Sequence, residues 1–170
     1  DFTIDNNLTV SSTSAFDALA RTITVTGASD VNGILNINGS GILDANGAFD
    51  ATSGTITMDG TARLQVAGTV TSLGTLDELA GTVEYDGGTQ DVLADAYYNL
   101  EIDETGVKTS LGTVSAAGTL TVGSGATYAI AATTTTVSGN SDINGAFTAS
   151  TGEYDADGVF DATGGTITFS

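Results

Sequence analysis

Residues 31–87 read VNG-ILNING-SGILDANG-AFDATSG-TITMDG-TARLQVAG-TVTSLG-TLDELAG-TVEYDG, and the fold can be predicted from the pattern of these residues. Most pieces hold three to five residues typical of strands, in which apolar residues often alternate with Thr, Asp or Asn, and then a turn that ends in Gly. Glycine adopts turn conformations that residues with a Cβ avoid, and Thr, Val and Ile suit a pleated, half-buried surface. No window shows sustained helical periodicity. The stretch therefore predicts an all-β chain.

Many of these pieces are only six to eight residues long, which favours a parallel β-solenoid. Strands of a β-sandwich usually recur about every 8–12 residues, whereas three short strands with three glycine turns make a coil of about 20 residues that stacks on the next coil. We expect a right-handed parallel β-solenoid (β-helix) of roughly eight coils, with Ile, Leu, Val, Ala and Phe inside and Thr, Asp and Asn outside. Tandem antiparallel β-sandwich modules are the alternative, because Asn-Gly and Asp-Gly are also hairpin signals.

Two blocks of the sequence recur at long range. Residues 24–33 (TVTGASDVNG) match residues 136–145 (TVSGNSDING) at seven of ten positions, and residues 47–57 (GAFDATSGTIT) match residues 158–168 (GVFDATGGTIT) at nine of eleven. The offsets predict a first repeat unit over residues 1–112 and a partial second unit over residues 113–170 that continues the same stack. Because the second copy breaks off inside the repeat, we expect either a piece of a longer array or a subunit with an open end.

The composition excludes several classes of function. The chain of 170 residues has 3 Lys+Arg against 21 Asp+Glu, a formal net charge of -18, and no His, Cys, Pro or Trp. Nucleic acid requires a basic surface, no stretch is long enough to span a bilayer, and the usual general base, thiol nucleophile and zinc ligands are missing. We therefore expect no enzyme, no nucleic-acid partner and no membrane insertion. With neither an initiator Met nor a leader pattern, Asp1 is expected to be a mature or excised end.

Three short segments carry a resemblance to a known class of proteins. They are Gly81-Thr82-Val83-Glu84-Tyr85, Tyr97-Tyr98-Asn99-Leu100 and Gly118-Thr119-Leu120-Thr121-Val122. The run of about 50 residues that contains them resembles the repeats of large secreted bacterial surface proteins, the adhesin-like proteins of Bacteroidetes and related groups in the broad style of filamentous haemagglutinin. The resemblance implies an extracellular, array-forming structural or adhesive role.

Calcium is the ligand that the acidic turns favour, because hard cations take several oxygen ligands. The best candidates are Glu153, Asp155 and Asp157, followed by the pairs Asp30/Asn32 and Asp142/Asn144. None of these segments has the spacing of an EF-hand or of a nonapeptide calcium roll. The alternative is that Asp and Asn stand at the turns because their side chains bond to local groups. We therefore expect no cofactor, with calcium as the open alternative.

The two ends of the chain favour a structural role. Both read as strands, Phe2-Thr3-Ile4 and Thr166-Ile167-Thr168-Phe169, without the Pro or Lys that normally blunts a strand edge. Open edges allow head-to-tail growth, so we expect a subunit or segment of an extracellular, cell-surface filament, sheath or adhesin stalk whose partner is a second molecule of itself. The alternative is a calcium-dependent sandwich module that binds a glycan or a protein, with cell-surface or host glycans as its partners.

Overall fold

The computed structural model describes residues 1–170, apart from the side chain of Glu78. It shows an all-β solenoid of about eight turns in which every described strand pairing is parallel and no described residue lies in a helix. The predicted solenoid is confirmed, and the antiparallel sandwich alternative is wrong because neighbouring strands run in the same direction. The chain forms two compact units, Asp1–Val83 and Glu84–Ser170. This division differs from the 1–112 and 113–170 repeat units, which remain a prediction from the sequence.

The first unit winds through three strands per turn and so builds three sheets. The first sheet contains β1 (Phe2–Ile4), β4 (Thr22–Val25), β7 (Ile42–Ala45) and β10 (Arg63–Val66). The second contains β2 (Leu8–Val10), β5 (Ser29–Val31), β8 (Phe49–Asp50) and β11 (Val70–Ser72). The third contains β3 (Ala15–Asp17), β6 (Ile34–Ile37), β9 (Thr55–Met58) and β12 (Thr75–Glu78). The next strand, β13 (Thr82–Tyr85), spans the boundary between the units.

The second unit repeats this arrangement. One sheet contains β14 (Gln90–Val92), β17 (Gly106–Ser110), β20 (Ala126–Ile130), β23 (Ala146–Ala149) and β26 (Thr166–Phe169). A second contains β15 (Ala96–Tyr97), β18 (Val114–Ala116), β21 (Thr134–Val137) and β24 (Glu153–Ala156). The strands β16 (Asn99–Ile102), β19 (Leu120–Val122), β22 (Ser141–Ile143) and β25 (Phe160–Asp161) follow β13 in the nine-stranded sheet that begins with β1, β4, β7 and β10.

The coil length and the alternation of side chains follow the sequence pattern. Paired residues in neighbouring coils are separated by 18 residues (Gln90 and Lys108) to 22 residues (Asp50 and Ser72), close to the predicted 20. Within a strand such as β9, Ile56 and Met58 are buried while Thr55 and Thr57 lie on the outer face. Because equivalent residues stack directly over one another, identical alternation in each coil produces continuous apolar columns inside.

The interior of the second unit also holds tyrosines whose hydroxyl groups bond to one another. The Tyr85 and Tyr97 hydroxyls lie 3.0 Å apart, the Leu93 amide donates to the Tyr85 hydroxyl, and the Tyr97 hydroxyl donates to the Leu93 carbonyl. Burial raises the pKa of Tyr85 to about 12. Each phenol therefore stays protonated and can donate at neutral pH, which satisfies polar groups that would otherwise be costly inside.

Candidate functional site

The predicted calcium ligands Glu153, Asp155 and Asp157 lie along the last strand of one sheet. Glu153 and Asp155 are exposed on the outer face of β24, and Asp157 is exposed just after it, with its amide donating to the Val137 carbonyl at 2.9 Å. The acidic side chains that converge among the described residues are those of Glu84, Glu101 and Asp103. Calcium binding at these three residues stays a prediction.

In the other predicted calcium pairs, Asp30/Asn32 and Asp142/Asn144, the Asn side chain is hydrogen-bonded to the Asp side chain. The Asn32 amide nitrogen donates to Asp30 at 2.8 Å, and Asn144 donates to Asp142 at 2.8 Å. Asn46 makes the same bond to Asp44 at 3.0 Å. This Asp-x-Asn bond supports the alternative interpretation, in which these side chains stabilise the turn.

Glu84, Glu101 and Asp103 form the cluster that the sequence analysis missed. One carboxylate oxygen from each lies within 4.8 Å of the others, with Glu84 buried and the other two half-buried. The fold brings them together because β13 and β16 are neighbours in one sheet, and because the Asp103 amide donates to the Tyr85 carbonyl at 3.1 Å. Carboxylate oxygens of this kind are suitable ligands for a hard cation such as Ca²⁺.

A buried lysine lies beside this cluster. Lys108, fully buried on β17, donates from Nζ to the Asp103 carbonyl and to the Glu104 carbonyl at 2.7 Å. Burial lowers the pKa of Lys108, while Asp103, Glu104 and Asp86 oppose that shift. The ammonium group thus binds carbonyl oxygens of the corner after β16, where Glu104 has a φ of 55°.

The open strand edges of the two units form the second candidate surface. We call β1, β2 and β3 the N-terminal rim and β24, β25 and β26 the C-terminal rim. Each of these strands ends its sheet, as do β11, β12, β14 and β15. A strand at the end of a sheet presents unpaired N–H and C=O groups along one edge. A series of aromatic contacts inside the second unit also reaches the C-terminal rim. Its successive ring centroids are 5.9, 4.8 and 5.7 Å apart, from Tyr128 through Phe147 and Tyr154 to Phe160.

The sequence repeat shows how the C-terminal rim differs from the same strands inside the first unit. Residues 44–57 (DANGAFDATSGTIT) align with residues 155–168 (DADGVFDATGGTIT), so β7, β8 and β9 correspond to β24, β25 and β26. Phe49 is 0% exposed whereas its equivalent Phe160 is 43% exposed, and Met58 is 2% exposed whereas Phe169 is 73% exposed. The difference arises because β11 and β12 cover β8 and β9.

The described residues hold no helical stretch with the length and hydropathy of a membrane span. Comparison with known proteins gives no match to a protein family, to a curated protein or to a solved structure.

Proposed function

We propose that this chain is a non-enzymatic structural segment of an extracellular bacterial filament, sheath or adhesin stalk, which assembles end to end through its open strand edges. The observation that supports this proposal is the different burial of two equivalent sets of strands. The segment around Phe49 is covered by a further coil in the first unit, while the nearly identical segment around Phe160 presents an open edge and apolar side chains at the C-terminal rim. A further coil from another molecule would bury the same groups.

The rims lack Pro, Lys and a covering helix among the described residues, which are three of the features that normally prevent edge pairing. Natural edge strands are blunted by Pro, by Lys or by a covering helix. The chain has no Pro, and the described residues include no helix. Two different rims that pair form a heterologous contact, which repeats along a line unless the rotation closes a ring. A filament is the assembly that this type of contact favours.

The outer faces explain why the contact would be confined to the ends. Outward positions carry carboxylates such as Asp44, Glu101 and Asp155, and the chain has a net charge of -18. Like charges on the sides of two molecules repel each other. Sideways association is therefore disfavoured, whereas the interior-facing surface of each rim is apolar.

The test compares Phe169→Lys with Thr168→Lys by sedimentation velocity and negative-stain electron microscopy. Phe169 continues an interior column and is 73% exposed, so a lysine there leaves the isolated chain folded but places a charge inside the contact. Thr168 lies one residue away on the outer face and receives the same change in charge. We expect the unmodified chain and Thr168→Lys to form end-to-end assemblies and Phe169→Lys to remain monomeric.

A discrete monomer of the unmodified chain at high concentration would refute the proposal. Assemblies that persist in Phe169→Lys would show that the contact does not involve the C-terminal rim. Thermal melts of both variants verify that the solenoid is still folded.

A further inference from the structure

The acidic residues are distributed unevenly along the chain. The sequence has 21 of them, but there is none in residues 105–141, 143–152 or 162–170. These ranges contain β17, β20, β23 and β26, which are neighbours in one sheet of the second unit. Each of the other four sheets carries acids on its outer side, and examples are Asp17, Asp30, Asp44 and Asp155. The four strands therefore differ in charge from the rest of a strongly acidic molecule.

We call the outer side of these four strands the neutral face. Their single charged residue, Lys108, points inside. The outward residues of the neutral face are Val107, Thr109, Thr127, Ala129, Ala146, Thr148, Thr166 and Thr168. All of them are half-buried or exposed. The neutral face thus presents hydroxyl and aliphatic groups and no charge.

The residues of the neutral face form a regular grid. Two columns cross the strands in register, Val107–Thr127–Ala146–Thr166 and Thr109–Ala129–Thr148–Thr168. Neighbouring positions are about 4.8 Å apart across the strands and about 6.7 Å apart along a strand. The χ1 angle of threonine is restricted because its Cβ is branched. Hydroxyl and methyl groups therefore recur at fixed distances in two directions.

The threonine hydroxyl groups of the neutral face are available to a partner. On the charged faces such groups bond to a neighbouring acid, as Thr24 does to Asp44 at 3.1 Å and Thr52 to Asp50 at 2.6 Å. Within the part of the chain that the structure describes, no hydroxyl of the neutral face bonds to another residue. A hydroxyl group can donate one hydrogen bond and accept others, so water molecules bind there with the spacing of the grid.

The neutral face fits a partner that is uncharged, forms hydrogen bonds and is itself periodic in two directions. The surface of ice has these three properties, because its water molecules lie on a lattice whose oxygen atoms repeat at similar distances. A carboxylate would hold its own hydration shell and resist such a contact. We infer that the neutral face binds the surface of an ice crystal through water ordered on its threonine hydroxyl and methyl groups. This contact uses the outer side of a sheet rather than a strand edge, and so it is independent of end-to-end assembly.

Two other partners fit the neutral face less well. The rings of a sugar polymer would stack on aromatic side chains, and the outward residues of the neutral face include none. A second copy of the chain would bury only the few side chains of the grid, whereas a stable interface takes about 20–30 residues from each partner. An ice surface can contact every position of the grid without a larger interface.

The test places a lysine in the middle of the neutral face. Thr148 pairs with Ala129 on one side and with Thr168 on the other, so Thr148→Lys puts a long, charged side chain inside the grid. Thr136→Lys is the matched control, because Thr136 is a half-buried, outward residue of β21 in a different sheet of the same unit. Ice binding is measured as thermal hysteresis and as enrichment of the protein in slowly grown ice. Thermal melts verify folding, and Thr127→Lys replaces Thr148→Lys if that variant does not fold.

We expect the unmodified chain and Thr136→Lys to show thermal hysteresis and to accumulate in the ice, and Thr148→Lys to lose both properties. Absence of ice binding by the unmodified chain overturns the inference. Ice binding that persists in the folded Thr148→Lys variant also overturns it, because the neutral face is then not the contact. Sedimentation velocity of the same samples tests the other occupant. A dimer that Thr148→Lys separates, without ice binding by the unmodified chain, would assign the neutral face to a second copy.

Discussion

Ser29 and Ser141 occupy equivalent positions of the two repeat copies, yet their buried hydroxyl groups are in different situations. The Ser141 hydroxyl accepts a hydrogen bond from the Tyr154 hydroxyl at 2.5 Å. The Ser29 hydroxyl is buried without a hydrogen-bond partner. The alignment explains the difference, since Leu43 stands where the second copy has Tyr154 and offers no donor.

This matched pair predicts opposite effects of the same substitution. Ser29→Ala removes an unsatisfied buried hydroxyl and should raise the free energy of unfolding by about 1 kcal/mol, whereas Ser141→Ala leaves the Tyr154 hydroxyl without its acceptor and should lower it by about 1 kcal/mol. Thermal and urea denaturation of both variants measure the shifts. Shifts of the same sign would contradict the interpretation.

The Asp-x-Asn turn provides a second matched pair. Asn46 donates to Asp44, but the equivalent Asp157 cannot donate to Asp155 while both are ionised. Asp157→Asn should therefore raise the free energy of unfolding by about 0.5–1 kcal/mol, and Asn46→Asp should lower it by a similar amount. Thermal melts of both variants with a chelator present measure these shifts.

The same melts, repeated with calcium, test the predicted calcium ligands. If Glu153, Asp155 and Asp157 bind calcium, Asp157→Asn should also reduce the stabilisation by calcium. If the calcium effect is unchanged in this variant, these residues are not the ligands.

At the scale of the element, the corners between strands depend on columns of glycine. In the first unit Gly27, Gly47 and Gly68 stand one above another, and a Cβ on Gly47 or Gly68 would lie closer than 3.0 Å to the backbone of the preceding coil. Gly139 and Gly158 have the same relation in the second unit. At these corners the coils approach this closely only because the side chain is absent.

Gly47→Ala should lower the free energy of unfolding by about 1–3 kcal/mol, because the added methyl group meets backbone rather than a movable side chain. Gly88→Ala is the control. A Cβ on Gly88 has nothing within 4 Å and its φ is not in the left-handed region, so this variant should be neutral or slightly stabilised. Denaturation midpoints of the two variants provide the comparison. Equal destabilisation of the two variants would show that contact with the preceding coil does not set the cost at Gly47.

The alternation of apolar and polar residues and the regular glycines at the turns were sufficient to predict the solenoid, its coil length and the outward position of residues such as Thr57. They were not sufficient to predict the Glu84 cluster or the interior position of Lys108. In β17 the apolar Val107 is 40% exposed while Lys108 points inside, which reverses the hydrophobic pattern. The cluster was missed because coil lengths vary from 18 to 22 residues, so the residues that stack on one another cannot be found by counting along the sequence.

The net charge of the whole molecule opposes both its folding and its association with a second molecule. The chain has 21 acidic residues and only three basic residues, and one of the three, Lys108, is buried. At some positions Thr or Asn lies beside Asp in the neighbouring coil, as in the bond from Asn36 to Asp17 at 2.6 Å, whereas Asp30 pairs directly with Asp50 and Asp142 with Asp161. The remaining repulsion is between exposed groups, and salt screens such interactions over a distance of about 10 Å at 0.1 M ionic strength.

Raising the NaCl concentration should therefore increase the melting temperature and also strengthen end-to-end association. Both molecules of the proposed end-to-end contact carry a net charge of -18, so the contact retains a repulsive component that salt reduces. Melting temperature and sedimentation coefficient are measured over a series of NaCl concentrations and repeated with KCl, which should give equal shifts because screening depends on ionic strength alone. A decrease of both quantities with salt would indicate that attraction between opposite charges, rather than apolar contact at the rims, holds the molecules together.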